Sequence, residues 1–125
     1  MKAVGKLLLC FMVITSTILT FQTPKSEAAT AFSDVGTSHR AYKEITYLAQ
    51  GNIVTGSNGK YNGDRTVTRA EAAAMIGRAL NLDGERKDTR FNDVKKNNFA
   101  SGYIDSAVAQ GIISGYSDGT FKPDK

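Results

Sequence analysis

Apolar residues along this chain follow patterns that change with position. Leu7 to Phe21 is an unbroken run of 15 uncharged residues. Further on, Ala41, Ile45, Leu48 and Ala49 recur at helical spacing, and so do Ala100, Ile104, Ala107 and Val108. Thr37 or Ser38 is the expected cap of the first helix, and Asn98 that of the later one. A third helix is predicted after Thr68-Arg69-Ala70-Glu71, where Thr at the cap and Glu three residues on make a capping box. It runs through Ala72, Ala73, Ala74, Met75, Ile76 and Leu80, with Gly84 just beyond its end. Tyr42 and Tyr47 are five apart and so off any one face, which predicts that one of them is exposed. Residues 56–64 hold three glycines and two asparagines, too many for regular structure. Residues 82–90 are polar and charged and read as a connector.

The apolar run at the start has a different meaning. Met1 to Lys6 carries two lysines and no acid, and after Phe21 come a polar stretch and the small residues Ala28 and Ala29. Basic, apolar, then polar and small is the secretory leader pattern. Fifteen residues fall short of the about 20 that cross a bilayer, so removal is expected rather than a retained transmembrane helix. Ser26-Glu27-Ala28 places the cut after Ala28, with Ala31 as the alternative. Cys10 lies inside the run and would leave with it, so the mature chain would hold no cysteine.

The remainder is an internal repeat. Residues 32–56 align with residues 91–115 at an offset of 59 without a gap. Phe32/Phe91, Asp34/Asp93, Val35/Val94, Ala41/Ala100, Ile45/Ile104, Ile53/Ile112 and Gly56/Gly115 are identical. Asn52 aligns with Gly111, an exchange that fits a left-handed residue at a helix end. Past Gly56 the first copy drops one residue, after which Asn58-Gly59 matches Asp118-Gly119 and Tyr61 matches Phe121. The expected organisation is a leader at 1–28, a first repeat at 29–82, a connector at 83–90 and an incomplete second repeat at 91–125. Copy two, lacking a second helix of its own, is expected to leave Ile104, Val108, Ile112, Ile113 and Phe121 without a full packing surface. On that ground its amides should exchange faster than those of residues 32–82, and the chain reads as the front of a longer protein, a truncated reading frame or a chain completed by a partner.

Charge and composition narrow the chemistry. The whole chain carries +4, but Lys2, Lys6, Lys25 and Glu27 leave with the leader, which brings it to +2. That is no clustered basic footprint for nucleic acid. His39 is the only histidine, so neither a zinc site nor a histidine-dependent triad is expected, and no cofactor is called for. Residues 58–69 do not make a calcium loop, because Lys60 and Arg69 fall where carboxylates are needed.

Taken in order, the motifs are Phe32-Ser33-Asp34-Val35, Ile53-Val54-Thr55-Gly56 and Thr68-Arg69-Ala70-Glu71. The second copy has Phe91-Asn92-Asp93-Val94, Gly111-Ile112-Ile113-Ser114-Gly115 and Asp118-Gly119-Thr120-Phe121-Lys122-Pro123. Their order and spacing resemble the S-layer homology (SLH) domain of bacterial surface proteins. The resemblance implies an all-α fold of helix-loop-helix repeats, here about one and a half copies, in a secreted protein of the cell wall or S-layer. It implies non-covalent anchoring, without enzymatic activity, to secondary cell-wall polysaccharide, a peptidoglycan-associated glycan that often carries pyruvate. It also implies that such repeats come in threes around a pseudo-threefold axis. An alternative is the targeting end of a secreted cell-wall hydrolase or polysaccharidase whose catalytic domain lies beyond residue 125.

The family typically carries an aromatic just before the helix alanine, which copy two has as Phe99, whereas copy one departs with Arg40. The Tyr after the second glycine is Tyr116 in copy two but Ser57 in copy one. Arg69 is the leading candidate for the polysaccharide. A cation at a helix start is slightly unfavourable unless it meets an acid, which its planar fork can grip. Thr68 and Glu71 are candidates beside it, though the capping box explains both. Asp34 and Asp93 can cap a turn or orient an arginine. Gly56 and Gly115 are expected at positive φ, with ligand approach second. Lys60, in the outward loop, can add a sugar contact.

Overall fold

A computed structural model describes residues 32–125. The expected leader, Cys10 and the cut after Ala28 lie outside those residues. Three helices follow one another: α1 (Tyr42–Gln50), α2 (Arg69–Ala79) and α3 (Ser101–Ala109). Among the described residues there is no strand, only one isolated bridge between Ser57 and Lys60. No helix there is long and apolar enough to cross a membrane.

Local chemistry sets the helix ends. At α2, Thr68 Oγ1 accepts from the Glu71 amide at 3.2 Å and Glu71 Oε2 accepts from the Thr68 amide at 2.9 Å, the reciprocal pair that the sequence predicts. Neither Thr37 nor Ser38 caps α1. His39 Nδ1 accepts from the Ala41 amide at 3.1 Å, as Asn98 Oδ1 accepts from Ala100 at 2.9 Å at the matching place in copy two. An unprotonated ring nitrogen can stand in for an amide oxygen there. Asn52 (φ 55°) and Gly111 (φ 71°) end α1 and α3 in the left-handed region, as their exchange implies. Asn81 (φ 52°), not Gly84, ends α2. Gly84 is small for another reason: a Cβ there would enter the Tyr103 ring.

Two cores result. In copy one, Phe32, Val35, Ile45 and Val54 are buried, with Tyr42, Leu48, Tyr61 and Met75 packed around them. In copy two, Phe91, Val94, Ala100, Ile104 and Phe121 close over Ala70, Ala73 and Ala74 of α2. The small residues of α2 recur at i, i+3 and i+4, so α3 can approach closely along that stripe. Gly77 of α2 continues it, and a Cβ there would collide with Tyr103.

The expectation for copy two is therefore corrected. Ile104 and Phe121 are fully buried, Val108 and Ile113 pack half-buried against the core, and Ile112 alone stays exposed. The surface they need comes from the second helix of copy one. The connector is likewise pinned to α3: Ser106 Oγ donates to the Asp83 carbonyl at 2.7 Å, and the Lys87 amide donates to Ser101 Oγ at 3.3 Å. Of the two tyrosines on α1, Tyr47 is exposed and Tyr42 half-buried.

Candidate functional site

Each repeat presents a turn-rich loop braced in the same way. Asp34 accepts from the Tyr61 and Asn62 amides at 2.7 and 2.8 Å, and Asp93 accepts from the Phe121 and Lys122 amides at 2.9 and 2.8 Å. Two amides on one carboxylate favour its charged form. Asp34 is held below its ordinary value chiefly by the Tyr61 amide, then by Asn62. At Asp93 burial pushes upward, but the Phe121 and Lys122 amides outweigh it and the net direction is down. These aspartates are the clasps that fold each loop back on its Phe-x-Asp-Val start.

The paired glycines differ. Gly56 has φ 59°, as expected, and a Cβ there would meet both the Lys60 carbonyl and the Phe32 ring. Gly115 is not at positive φ; its need for glycine comes from the Phe91 ring, which a Cβ would strike. Lys60 is exposed on the loop, and its backbone carbonyl closes the turn on the Ser57 amide at 2.8 Å.

Arg69, half-buried, reaches into copy two. Its Nε donates to the Phe121 carbonyl and one terminal nitrogen to the Ser114 carbonyl, both at 2.9 Å. The guanidinium carbon lies 4.4 Å from the Phe121 ring centre and 5.1 Å from that of Tyr116. The amides of Arg69 and Ala70 donate to the carbonyls of Lys125 and Pro123, each at 2.9 Å. Two of the four unpaired amides at the start of α2 are thus filled by copy two's loop. The cation at this helix mouth is accounted for by carbonyl oxygens and π faces within the chain.

A groove of about 360 Å³ opens elsewhere, between the loop of copy one, the outer face of α2 and Phe99 of copy two. Of the sequence candidates it takes in Gly56 and Glu71; Arg69, Thr68, Asp34, Asp93, Gly115 and Lys60 do not line it. Its aromatic walls are Tyr61 and Phe99, and Phe99 is 45% exposed. Its cations are Arg65 and Arg78. Arg65 is paired with Glu71 at 2.5 Å, which lowers the Glu71 pKa and raises that of Arg65. Arg78 donates one nitrogen to the Ile53 carbonyl at 3.3 Å and, among the described residues, has no carboxylate partner within ion-pair distance. Two arginines against one glutamate leave the groove positive. Sequence reasoning missed Arg78, although Glu71, Met75 and Arg78 stand at i, i+4 and i+7 on one helix face. Arg65 carries no such signal, since it sits in an irregular loop.

Comparison with known proteins identifies the repeat. Residues 31–73 and 90–125 match the S-layer homology domain. The chain is 29% identical to a middle cell wall protein of Brevibacillus brevis over 98% of this chain and 12% of that one. It is 34% identical to a cellulosome-anchoring protein of Acetivibrio thermocellus over 74% of this chain and 22% of that protein. An endoglucanase of a Bacillus species is 30% identical over 94% of this chain and 13% of the enzyme. The chain spans less than a quarter of the length of each of these relatives.

Proposed function

Because the chain belongs to the S-layer homology family, a family of exported surface-layer and cell-wall proteins, we propose that it is a non-catalytic anchor that grips secondary cell-wall polysaccharide in the groove between its repeats. The observation that carries this reading is the pairing of aromatic walls with a cation in excess. Tyr61 and Phe99 offer flat apolar faces for sugar rings, Gly56 lets backbone approach, and Arg78 supplies the charge left after Arg65 and Glu71 neutralise each other. An acidic substituent such as a pyruvate ketal matches a guanidinium fork, which binds a carboxylate through two parallel bonds. The leader at 1–28 is removed on export in this reading, and N-terminal sequencing of the secreted protein should begin at Ala29. Similarity to an endoglucanase supports a second reading of the cargo, in which the anchored part is a secreted polysaccharidase.

The test is co-sedimentation with purified walls before and after the non-peptidoglycan polymer is stripped. Binding to intact walls should be lost on stripped ones, and Arg78→Ala should weaken it about tenfold, a factor that one charge-assisted bond supplies. Equal binding to both wall preparations would end the polysaccharide reading. Undiminished binding by Arg78→Ala together with Phe99→Ala would move the site out of this groove.

A further inference from the structure

The loop of copy one carries two Asn-Gly pairs, Asn58-Gly59 and Asn62-Gly63. In such a pair no side chain shields the backbone amide that follows the asparagine, and that nitrogen can close a five-membered ring on the carboxamide carbon. Closure requires both groups to be free, and the structure holds the two pairs differently.

Asn58 is exposed at the tip of a two-residue turn at φ 51°, with Gly59 exposed beside it at φ 70°, the pairing such a turn favours. The Ser57 and Lys60 amides close the turn on each other's carbonyls at 2.8 and 2.9 Å, and Ser33 takes the Gly59 carbonyl. Among the described residues neither the Asn58 carboxamide nor the Gly59 amide has a hydrogen-bond partner. A Cβ on Gly59 would meet nothing within 4 Å, so a ring has room there. Asn62 is half-buried and held at three points. Its amide donates to Asp34 at 2.8 Å, its carboxamide nitrogen donates to the Lys60 carbonyl at 3.3 Å, and its carbonyl accepts from the Arg65 amide at 3.0 Å. The other five asparagines each precede a residue with a side chain. The amides after Asn52, Asn81 and Asn97 are also bonded, to the Leu48, Gly77 and Lys95 carbonyls.

We propose that Asn58-Gly59 is a site of self-modification, at which the folded chain converts its own asparagine into an acid. The deprotonated Gly59 nitrogen bonds to Asn58 Cγ. The Cγ–Nδ2 bond breaks, its electron pair goes with the nitrogen, and the proton given up by Gly59 completes a departing ammonia. Water then opens the cyclic imide, at Cγ to give aspartate or at the backbone carbonyl to give isoaspartate. One water enters, one ammonia leaves, and nothing is oxidised or reduced. Copy two shows that the scaffold accepts a carboxylate at this place. Its counterpart Asp118 accepts from the Thr120 amide at 3.0 Å and pairs with Lys122 at 3.2 Å. The isoaspartate product differs, because it lengthens the backbone by one carbon inside the turn. Either product adds a negative charge next to Ser57, which lines the groove. A consequence for binding rests on the polysaccharide reading; the modification itself does not.

The test is peptide mapping by mass spectrometry of the full folded chain, aged in mildly alkaline buffer beside a sample in denaturant. In the folded chain Asn58 should turn to acid about tenfold faster than Asn62, whose bonds must open first. In denaturant the two should react at closely similar rates. Asn58→Gln, which needs a larger ring, should lose most of the ammonia release. Equal rates at Asn58 and Asn62 in the folded chain, modification confined to the denatured sample, or undiminished ammonia from Asn58→Gln would overturn the site. Asn58→Asp carries the charge from the start and should bind intact walls about threefold more weakly. Undiminished binding by that variant would overturn the consequence for the groove, whatever the mass spectra show.

Discussion

Copy one and copy two share their clasping aspartates, their paired rings and their helix-ending residues, but not their burial. Ile45 is 4% exposed where Ile104 is 0%, and Val35 3% where Val94 is 0%. The gap widens at the surface that meets the connector. Tyr42, Lys43 and Glu44 of copy one are half-buried or exposed, while Ser101 and Gly102 of copy two are buried. Gly102 is so close to the Gly84 backbone that a Cβ would collide with it. The same scaffold is tight where an alanine-faced helix and the connector after it cover it, and looser where neither does. A repeat of this kind supplies half a core, and its neighbour supplies the other half.

The comparison breaks most visibly at the ring that each loop contributes. Phe121→Ala removes a fully buried aromatic and should cost about 3–5 kcal/mol in denaturant unfolding, whereas Tyr61→Ala, half-buried, should cost roughly half that. Equal losses would mean that α2 does not distinguish the copies. Next comes the latch. Arg69→Ala removes two bonds to carbonyls and two cation–π contacts and should cost about 2 kcal/mol, with far-UV helicity kept. Arg69→Lys should recover only part of that, since a point charge cannot reproduce the fork. Smaller still is the effect of acid. The folded-state pKa values of Asp34 and Asp93 both lie below the ordinary 3.8, so their contribution is complete above about pH 4 and fades as pH falls through the lower folded values. A double Asp34→Asn, Asp93→Asn chain should unfold with a flatter pH dependence between pH 4 and 2. Smallest is the cap. His39→Asn gives copy one the amide that copy two has at Asn98, and should raise its melting point by the equivalent of a few tenths of a kcal/mol.

Much of this was legible in the sequence because it is set locally. The capping box at Thr68 and Glu71, the left-handed Asn52 and Gly111 and the phase of each stripe depend on neighbours a few residues away. What escaped depends on contacts across the chain. That α2 completes copy two rather than serving copy one alone cannot be read from either repeat. Nor can the use of Arg69, whose partners Ser114 and Phe121 lie 45 and 52 residues later. Gly115 looked like a backbone need and is a steric one, fixed by a ring 24 residues earlier. At the groove the aromatic Phe99 stood out in the repeat pattern, but Arg78 matters only because Glu71 is already spent on Arg65.

The account rests on Arg69 latching α2 to one repeat and leaving the other open, and amide hydrogen exchange reads that directly. In the unaltered chain Phe121 and Lys122 should exchange at least about tenfold more slowly than Tyr61 and Asn62, a gap of roughly 1.4 kcal/mol in local opening. In Arg69→Ala the gap should close from the copy two side, with residues 42–50 unchanged. Equal protection of the two loops in the unaltered chain, or a gap that survives the substitution, would contradict it.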